Sequence, residues 1–402
     1  MLLRFFIVLY LLTGSVLITA QNKDISMFIF GHSLIDHRPP ATETPSDETT
    51  VPHWIYLLAQ HANHNYAAGG QYGFLQQHAN LPPFSQWGYD IVPGVWDSDF
   101  MSFQEAKINS TMITAGNFIQ YQGPELPYED PNNTDQFSPI SATEIIVDWL
   151  GENTVDGNIY IYENWPDMAG FIAGEGFPAS ASEFTAYNDY TRNAFHEWWI
   201  AYQDALLESR SEANVRMIPV GPILADLLDG LLADIPFEDL YEDNAPHGKP
   251  NIYFLAGLIS YMAVYEEKAP ADFEVPDLIH SEISEHYVKV VNFIWDYLIA
   301  FNTGSGESRV FTSVPSSLQD WPQHEMERMV IFPNPSIDKI HIEIDEEIMN
   351  VEVRNTLGQL LIEQNGLQLN LVNVKSLQAG QYLILVQTKS GHIHNASFIK
   401  LE

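Results

Sequence analysis

There is no cysteine anywhere in the 402 residues. That excludes disulfides, thiolate metal sites, a lipid-anchored cysteine and a cysteine nucleophile. Cations are scarce as well, with 17 Lys and Arg against 53 Asp and Glu and a formal net charge of −36. Nucleic acid and anionic membrane surfaces both require clustered positive charge, so neither is an expected partner. Beyond the N-terminal stretch, no segment approaches the run of about 18 apolar residues needed to span a bilayer. What the chain does have is 46% apolar residues, enough to bury a large core over two or three domains without disulfides. The acidity reads as a solubility device.

Residues 1–20 have the parts of a secretory signal. Arg4 supplies the positive start, Phe5 to Leu12 the apolar stretch, and Ser15 to Ala20 a more polar run to a cleavage site before Gln21. Ile25 to Phe30 is then an apolar run of strand length that stops at Gly31, with Ser33 two residues on. A helix follows from Val51 to about Ala62, with Thr50 as N-cap and Pro52 in the first turn. Tyr66 to Ala68, the start of Met112 to Tyr121, Ile159 to Tyr162 and Val215 to Val220 read as further strands, the last stopped by Gly221-Pro222. Capping boxes beginning at Ser141 and Ser180 open helices to about Leu150 and Ser209, and residues 250–266 and 282–301 are apolar helices. Strands alternating with helices give an α/β class over residues 21–302: a mostly parallel sheet with helices on both faces.

Residues 303–328, rich in Gly, Ser and Pro, read as a linker. Beyond it the apolar period becomes two, at Ile340 to Ile344, Val351 to Val353 and Tyr382 to Val386, with turn residues between. Residues 329–402 therefore form a small all-β sandwich. The charge changes at the same place, with 11 Lys and Arg against 45 Asp and Glu over residues 21–328 and 5 against 8 beyond. Phe332-Pro-Asn-Pro335, Asn355-Thr-Leu-Gly-Gln359 and Leu377-Gln-Ala-Gly-Gln-Tyr382 occur in order, and the domain is similar to the C-terminal sorting domain of type IX secretion cargo in Bacteroidetes. That similarity implies type IX machinery as a partner and export to the extracellular space or outer-membrane surface. A carbohydrate-binding or adhesive sandwich is the alternative.

A glycine before Ser33 permits a sharp turn at the carboxyl end of a buried strand, where open α/β sheets place their ligands. A serine hydroxyl is a weak nucleophile until a base takes its proton, and a free imidazole, with pKa about 6.5, suits that task near neutrality. Gly31-His32-Ser33-Leu34, the glycines Gly69, Gly70 and Gly73, then Asn164, then His247 resemble four segments of the SGNH (GDSL-like) hydrolases over residues 25–300. His32 stands where that family has aspartate, Trp165 follows Asn164 in place of aspartate, no glycine precedes Asn164, and Asn244 takes the usual aspartate position three before the histidine. The resemblance implies a three-layer SGNH or flavodoxin-like fold, Ser33 as nucleophile and His247 as base. It also implies an oxyanion hole of the Ser33 N–H, a glycine N–H taken as that of Gly70, and the Asn164 side chain. Asp243, four residues before His247, is expected to orient it, with Glu242 a weaker candidate and a Ser–His dyad the fallback.

The activity implied is that of a secreted serine esterase hydrolysing acyl esters, expected to be acetyl, on a carbohydrate or related polymer, with no cofactor or metal. Residues 79–107 form a long aromatic and proline-rich loop of the kind that carries function, and Trp87, Trp96 and, near Asn164, Trp165 are candidate substrate contacts. Three other readings compete. His32, Asp36, His37 and His53 could make a metal-dependent hydrolase. Glu163 and Asp167 could be a glycosidase pair, though cap and turn acids are commoner. The chain could also be a surface glycan-binding protein that keeps the fold without hydrolysis.

Overall fold

The computed structural model describes residues 22–115, 122–129, 133–154, 157–172, 177–213, 215–312, 330–344, 348–355, 360–365, 369–389 and 393–401. The expected signal, most of the expected linker and residues 356–359 of one sorting-domain motif lie outside the described residues. The chain divides into two compact units, the first ending at Ser316.

The first unit is built on five parallel strands: β1 (Asp24–Gly31), β2 (Asn65–Tyr72), β3 (Ser110–Ile113), β4 (Asn158–Glu163) and β5 (Val215–Pro219), in the order β2-β1-β3-β4-β5. Its helices are α1 (Val51–His61), α2 (Leu75–His78), α3 (Pro139–Asn153), α4 (Ala181–Tyr190), α5 (His196–Ser209), α6 (Val220–Asp229), α7 (Pro250–Tyr265), α8 (Ser281–Glu285) and α9 (Tyr287–Ala300). Alternation along the strands sorts them into layers. Met27 and Ile29 of β1 pack with α1, α6, α7 and α9, while Phe28 and Phe30 pack with α2, α3 and α5 on the opposite face. Both faces of the sheet are thus buried, which explains the continuous apolar run of β1.

Several boundaries differ from the sequence reading for local reasons. The third helix begins at Pro139 with Ser138 as N-cap, because Ser138 and Ser141 exchange reciprocal bonds one turn before the expected box. The Ser180 box is present as expected, but the helix it opens has a π-helical segment at Thr191–Phe195 before α5. Gly221-Pro222 falls in the first turn of α6, where a missing N–H costs nothing, so the helix follows β5 directly. Residues 303–312, expected as linker, belong to the first unit: Val310 and Phe311 join its core, and the Arg309 carbonyl accepts the Met217 N–H at 2.8 Å.

The second unit has two antiparallel sheets. The smaller has β6 (Val330–Phe332), β7 (Lys339–Glu343) and β10 (Leu371–Asn373) in the order β10-β7-β6. The larger has β8 (Ile348–Asn355), β9 (Leu360–Asn365), β11 (Gly380–Thr388) and β12 (Ile393–Lys400) in the order β12-β11-β8-β9. Ile340, Ile342, Val351, Val353, Ile384 and Val386 close one core between them, as the period of two requires.

Candidate active site

The carboxyl end of β1 is braced before any chemistry is considered. The Gly31 carbonyl accepts the Gly73 N–H at 2.9 Å and the His78 Nε2 at 3.3 Å, and the Ser33 carbonyl accepts the Tyr253 hydroxyl at 2.6 Å. His32 turns inward: it is 2% exposed and its Nδ1 accepts the Leu34 N–H at 3.3 Å. Burial, with His78 and His247 nearby, pushes the His32 imidazole down to about 3, so it is neutral at ordinary pH. Burial likewise lowers His78 to about 4. A neutral His32 can accept that N–H and close the turn as a carboxylate would, without placing a charge in the interior.

Ser33 sits above this turn, partly exposed, and the loop before α7 reaches it. That loop is pinned by a Tyr241–Gly248 bridge, by the Glu242 N–H donating to the His247 carbonyl at 2.8 Å, and by the Trp165 indole donating to the Pro246 carbonyl at 2.8 Å. The structure brings three of the expected residues into line. His247 Nε2 lies 2.8 Å from Ser33 Oγ, and His247 Nδ1 lies 2.7 Å from Asp243 Oδ2. Asp243 Oδ1 accepts the backbone N–H groups of Ala245 at 3.0 Å and His247 at 3.1 Å. Partial burial opposes ionisation of Asp243, but the bonds from the His247 side chain and from the two N–H groups outweigh it and hold the carboxyl below its ordinary value. The group opposite His247 is therefore a carboxylate at neutral pH, and it favours the tautomer whose Nε2 can accept a proton.

The open groove around Ser33 and His247 is lined by Asp36, His37, Arg38, Tyr72, Gln86 and Trp87. Arg38 is committed to both Asp36 oxygens, at 2.7 and 2.5 Å, and to Asp47 at 3.0 Å, and it lies 4.7 Å over the Tyr89 ring. Burial raises the Asp36 carboxyl above its ordinary value against the pull of Arg38. Among the described residues the Ser33 N–H donates to no backbone carbonyl.

Other expected site residues lie elsewhere. Gly70 is inside β2, in register with Ile29, and a Cβ there would come within 2.6 Å of the Ile29 carbonyl and of the Trp87 ring. It is glycine because Trp87 lies over the strand, and it does not line the groove. Gly73 gives its N–H to Gly31. Asn164 is fully buried; its amide donates to the Trp165 carbonyl at 2.8 Å and its oxygen accepts the Thr114 hydroxyl at 2.8 Å, which makes it a strut between β3 and β4. Trp165 is buried beneath the His247 loop, and Trp96 packs on Phe28 and Phe103 against the other face of the sheet. Only Trp87 of the three tryptophans lines the groove.

Glu163 is fully buried against His196, 2.8 Å away, and Asp167 caps the Ala169 N–H, so the two carboxylates face no common space as a glycosidase pair would. Among the described residues no group of three or more His, Asp or Glu is placed to hold a metal ion. Of the expected metal set, Asp36 is taken by Arg38, His37 by Glu242, and the inward Nδ1 of His32 by Leu34. Tyr72 and Gln86, which the sequence alone does not single out, line the groove from the end of β2 and from the loop after α2. The Gln86 oxygen accepts the Tyr72 N–H at 3.0 Å, which fixes that amide beside Ser33. The aromatic Tyr72, two residues after Gly70, is the signal in the sequence.

Residues 330–400 match the model of the secretion system C-terminal sorting domain. Export by the type IX route to the extracellular space or cell surface follows from that match. No helix among the described residues is long and apolar enough to cross a membrane. No curated protein matches the chain by sequence. Among solved structures, a point mutant of Axe2, an acetyl-xylooligosaccharide esterase from Geobacillus, is similar at 13% identity and a TM-score of 0.32, covering 65% of this chain and 98% of that one. Axe2 itself, an acetylxylan esterase from Geobacillus stearothermophilus, is similar at 12% identity and a TM-score of 0.31, covering 66% and 99%. CopC from Methylosinus trichosporium is similar at 15% identity and a TM-score of 0.14, covering 17% of this chain and 78% of that one.

Proposed function

We propose that the first unit is a serine ester hydrolase and that the exported protein removes acyl groups, acetyl above all, from a carbohydrate or related polymer. One observation carries this reading: Ser33 Oγ, both ring nitrogens of His247 and an Asp243 oxygen form a continuous chain with contacts of 2.8 and 2.7 Å. Ser33 attacks the acyl carbonyl carbon while His247 Nε2 takes the hydroxyl proton, and Asp243 stabilises the imidazolium through Nδ1. The tetrahedral oxyanion is met by the Ser33 N–H, and the Gln86 amide is the next donor within the groove lining. Collapse expels the alcohol, which receives the proton from His247. Water then repeats the sequence on the acyl-enzyme and releases the acid.

The substrate class is supported by the groove itself. It is open and polar, and Tyr72 and Trp87, whose rings meet edge to face at 6.4 Å, offer aromatic surface for a hydroxyl-rich sugar ring. The test is acetate release from acetylated oligosaccharides by the purified protein and by Ser33→Ala. Release by the wild type alone, faster than from a simple alkyl acetate, is the expected result. Equal release by both proteins, or none by either, contradicts the reading.

A further inference from the structure

The lining of the groove at Ser33 contains one guanidinium and one carboxylate, and they are bonded to each other. Arg38 makes four hydrogen bonds. Its Nε and Nη2 donate to the two Asp36 oxygens at 2.7 and 2.5 Å, and its Nη1 donates to Asp47 at 3.0 Å and to the Gly88 carbonyl at 2.9 Å. The Tyr89 ring, 4.7 Å away, covers one face of the guanidinium. Asp36 gives both oxygens to Arg38, and its side chain is only 3% exposed. The two imidazoles of the lining are committed as well. His37 Nε2 is held by Glu242 at 2.8 Å, and its ring is stacked at 4.1 Å on His247, which is bonded to Ser33 and Asp243.

We infer that the groove takes uncharged acylated glycans and turns away acidic ones, and that Asp36 and Asp47 set this selectivity by occupying Arg38. The inference rests on the reading of Ser33 and His247 as an ester-hydrolysing pair. A guanidinium beside the nucleophile is the side chain best suited to recruit a sugar carboxylate, through a planar two-point contact. Here that edge is filled by Asp36, and a second carboxylate holds the remaining arm. An acidic group entering the groove would lose water without gaining a free cation among the described lining residues, a penalty that hydroxyl and acyl groups escape. An ammonium group gains no free carboxylate in the lining either. The wider field acts against anions too. Residues 21–328 carry 45 Asp and Glu against 11 Lys and Arg, and such a field slows the approach of an acidic chain while leaving a neutral one unaffected. The other groups that the lining offers, the Tyr72 and Trp87 rings and the Gln86 amide, are uncharged.

The test is acetate release by the full chain from acetylated oligogalacturonides, as free acids and after amidation, which removes the charge and keeps the ring. Acetylated cello-oligosaccharides serve as the neutral reference. We expect kcat/KM to be at least about tenfold higher on the amidated form than on the free acid at low salt. Between about 0.01 and about 1 M salt the Debye length falls from about 30 to about 3 Å, so the gap should narrow severalfold while the rate on the neutral reference stays level. Asp47→Asn removes one carboxylate from Arg38, and its oxygen can still take the Asp90 N–H held at 2.6 Å. The ratio of acidic to amidated substrate should then rise about two- to fivefold, the effect of one partly exposed charge. If that variant does not fold, the native comparison decides alone. Equal rates on the free and amidated forms, or a faster rate on the free acid, overturn the inference and leave the esterase reading standing. Release from none of the substrates refutes the esterase reading. Calorimetric binding to Ser33→Ala then decides the selectivity without turnover: tighter binding of the amidated form supports it, and equal or tighter binding of the free acid overturns it.

Discussion

Replacing Asp243 by Asn separates orientation from geometry. Asp243 Oδ1 holds the N–H groups of Ala245 and His247, and an asparagine oxygen can keep both bonds. Its NH2 group then faces His247 Nδ1 in place of Oδ2, which lies at 2.7 Å in the native chain. Nδ1 must accept, so the ring proton moves to Nε2 and points at Ser33 Oγ, where it cannot receive the hydroxyl proton. In a fully buried triad that tautomer error costs roughly 10⁴ in kcat. Here the Asp243 side chain is 45% exposed, so water competes for Nδ1 and part of the correct tautomer survives. We expect kcat to fall by about 10²–10⁴, or roughly 3–5 kcal/mol of transition-state stabilisation. KM should change little, because Asp243 does not line the groove. The assay is steady-state hydrolysis of a chromogenic acetyl ester from pH 5 to 9, with Tm recorded in parallel. A variant that keeps kcat within about threefold of wild type would refute the assignment of Asp243 as the group that orients His247.

Asn164→Ala should act on stability, since it strands the buried Thr114 hydroxyl; a loss of about 1–3 kcal/mol with kcat nearly unchanged is expected, and the opposite pattern would restore Asn164 to the oxyanion hole. Gly70→Ala forces a methyl against the Ile29 carbonyl and the Trp87 ring, so thermal unfolding should show a loss of about 1–3 kcal/mol, and raised KM should report the displaced Trp87. His32 and His78 have folded values of about 3 and about 4, below the unfolded value. The unfolded chain therefore binds more protons below about pH 6.5, and stability present above that pH is lost as it falls toward 4. His78→Gln, which keeps a donor for the Gly31 carbonyl, should flatten the dependence of Tm on pH over that window; an unchanged slope would contradict the neutral buried histidine.

The α/β class, the three-layer arrangement and the all-β second unit were legible because period and burial are properties of local sequence. Strand order was not. Asn164 is the residue that resembles the family's asparagine segment, but it follows β4, which is two strands away from β1 with β3 between them. Gly70 misled for a similar reason, since a glycine needed beneath Trp87 looks in sequence like one needed at an oxyanion. Asp243 could be named because it lies four residues before His247, one from the position that the resemblance gives to aspartate. The stack of His37 on His247 joins segments 210 residues apart and leaves no local trace.

The proposed esterase chemistry stands or falls on Ser33 acting as a nucleophile activated by His247. Treating the full chain with a fluorophosphonate and mapping the adduct by mass spectrometry tests it most directly. One stoichiometric adduct is expected on Ser33, formed far more slowly in His247→Ala and absent from Ser33→Ala. No adduct, or an adduct on another serine, would contradict it.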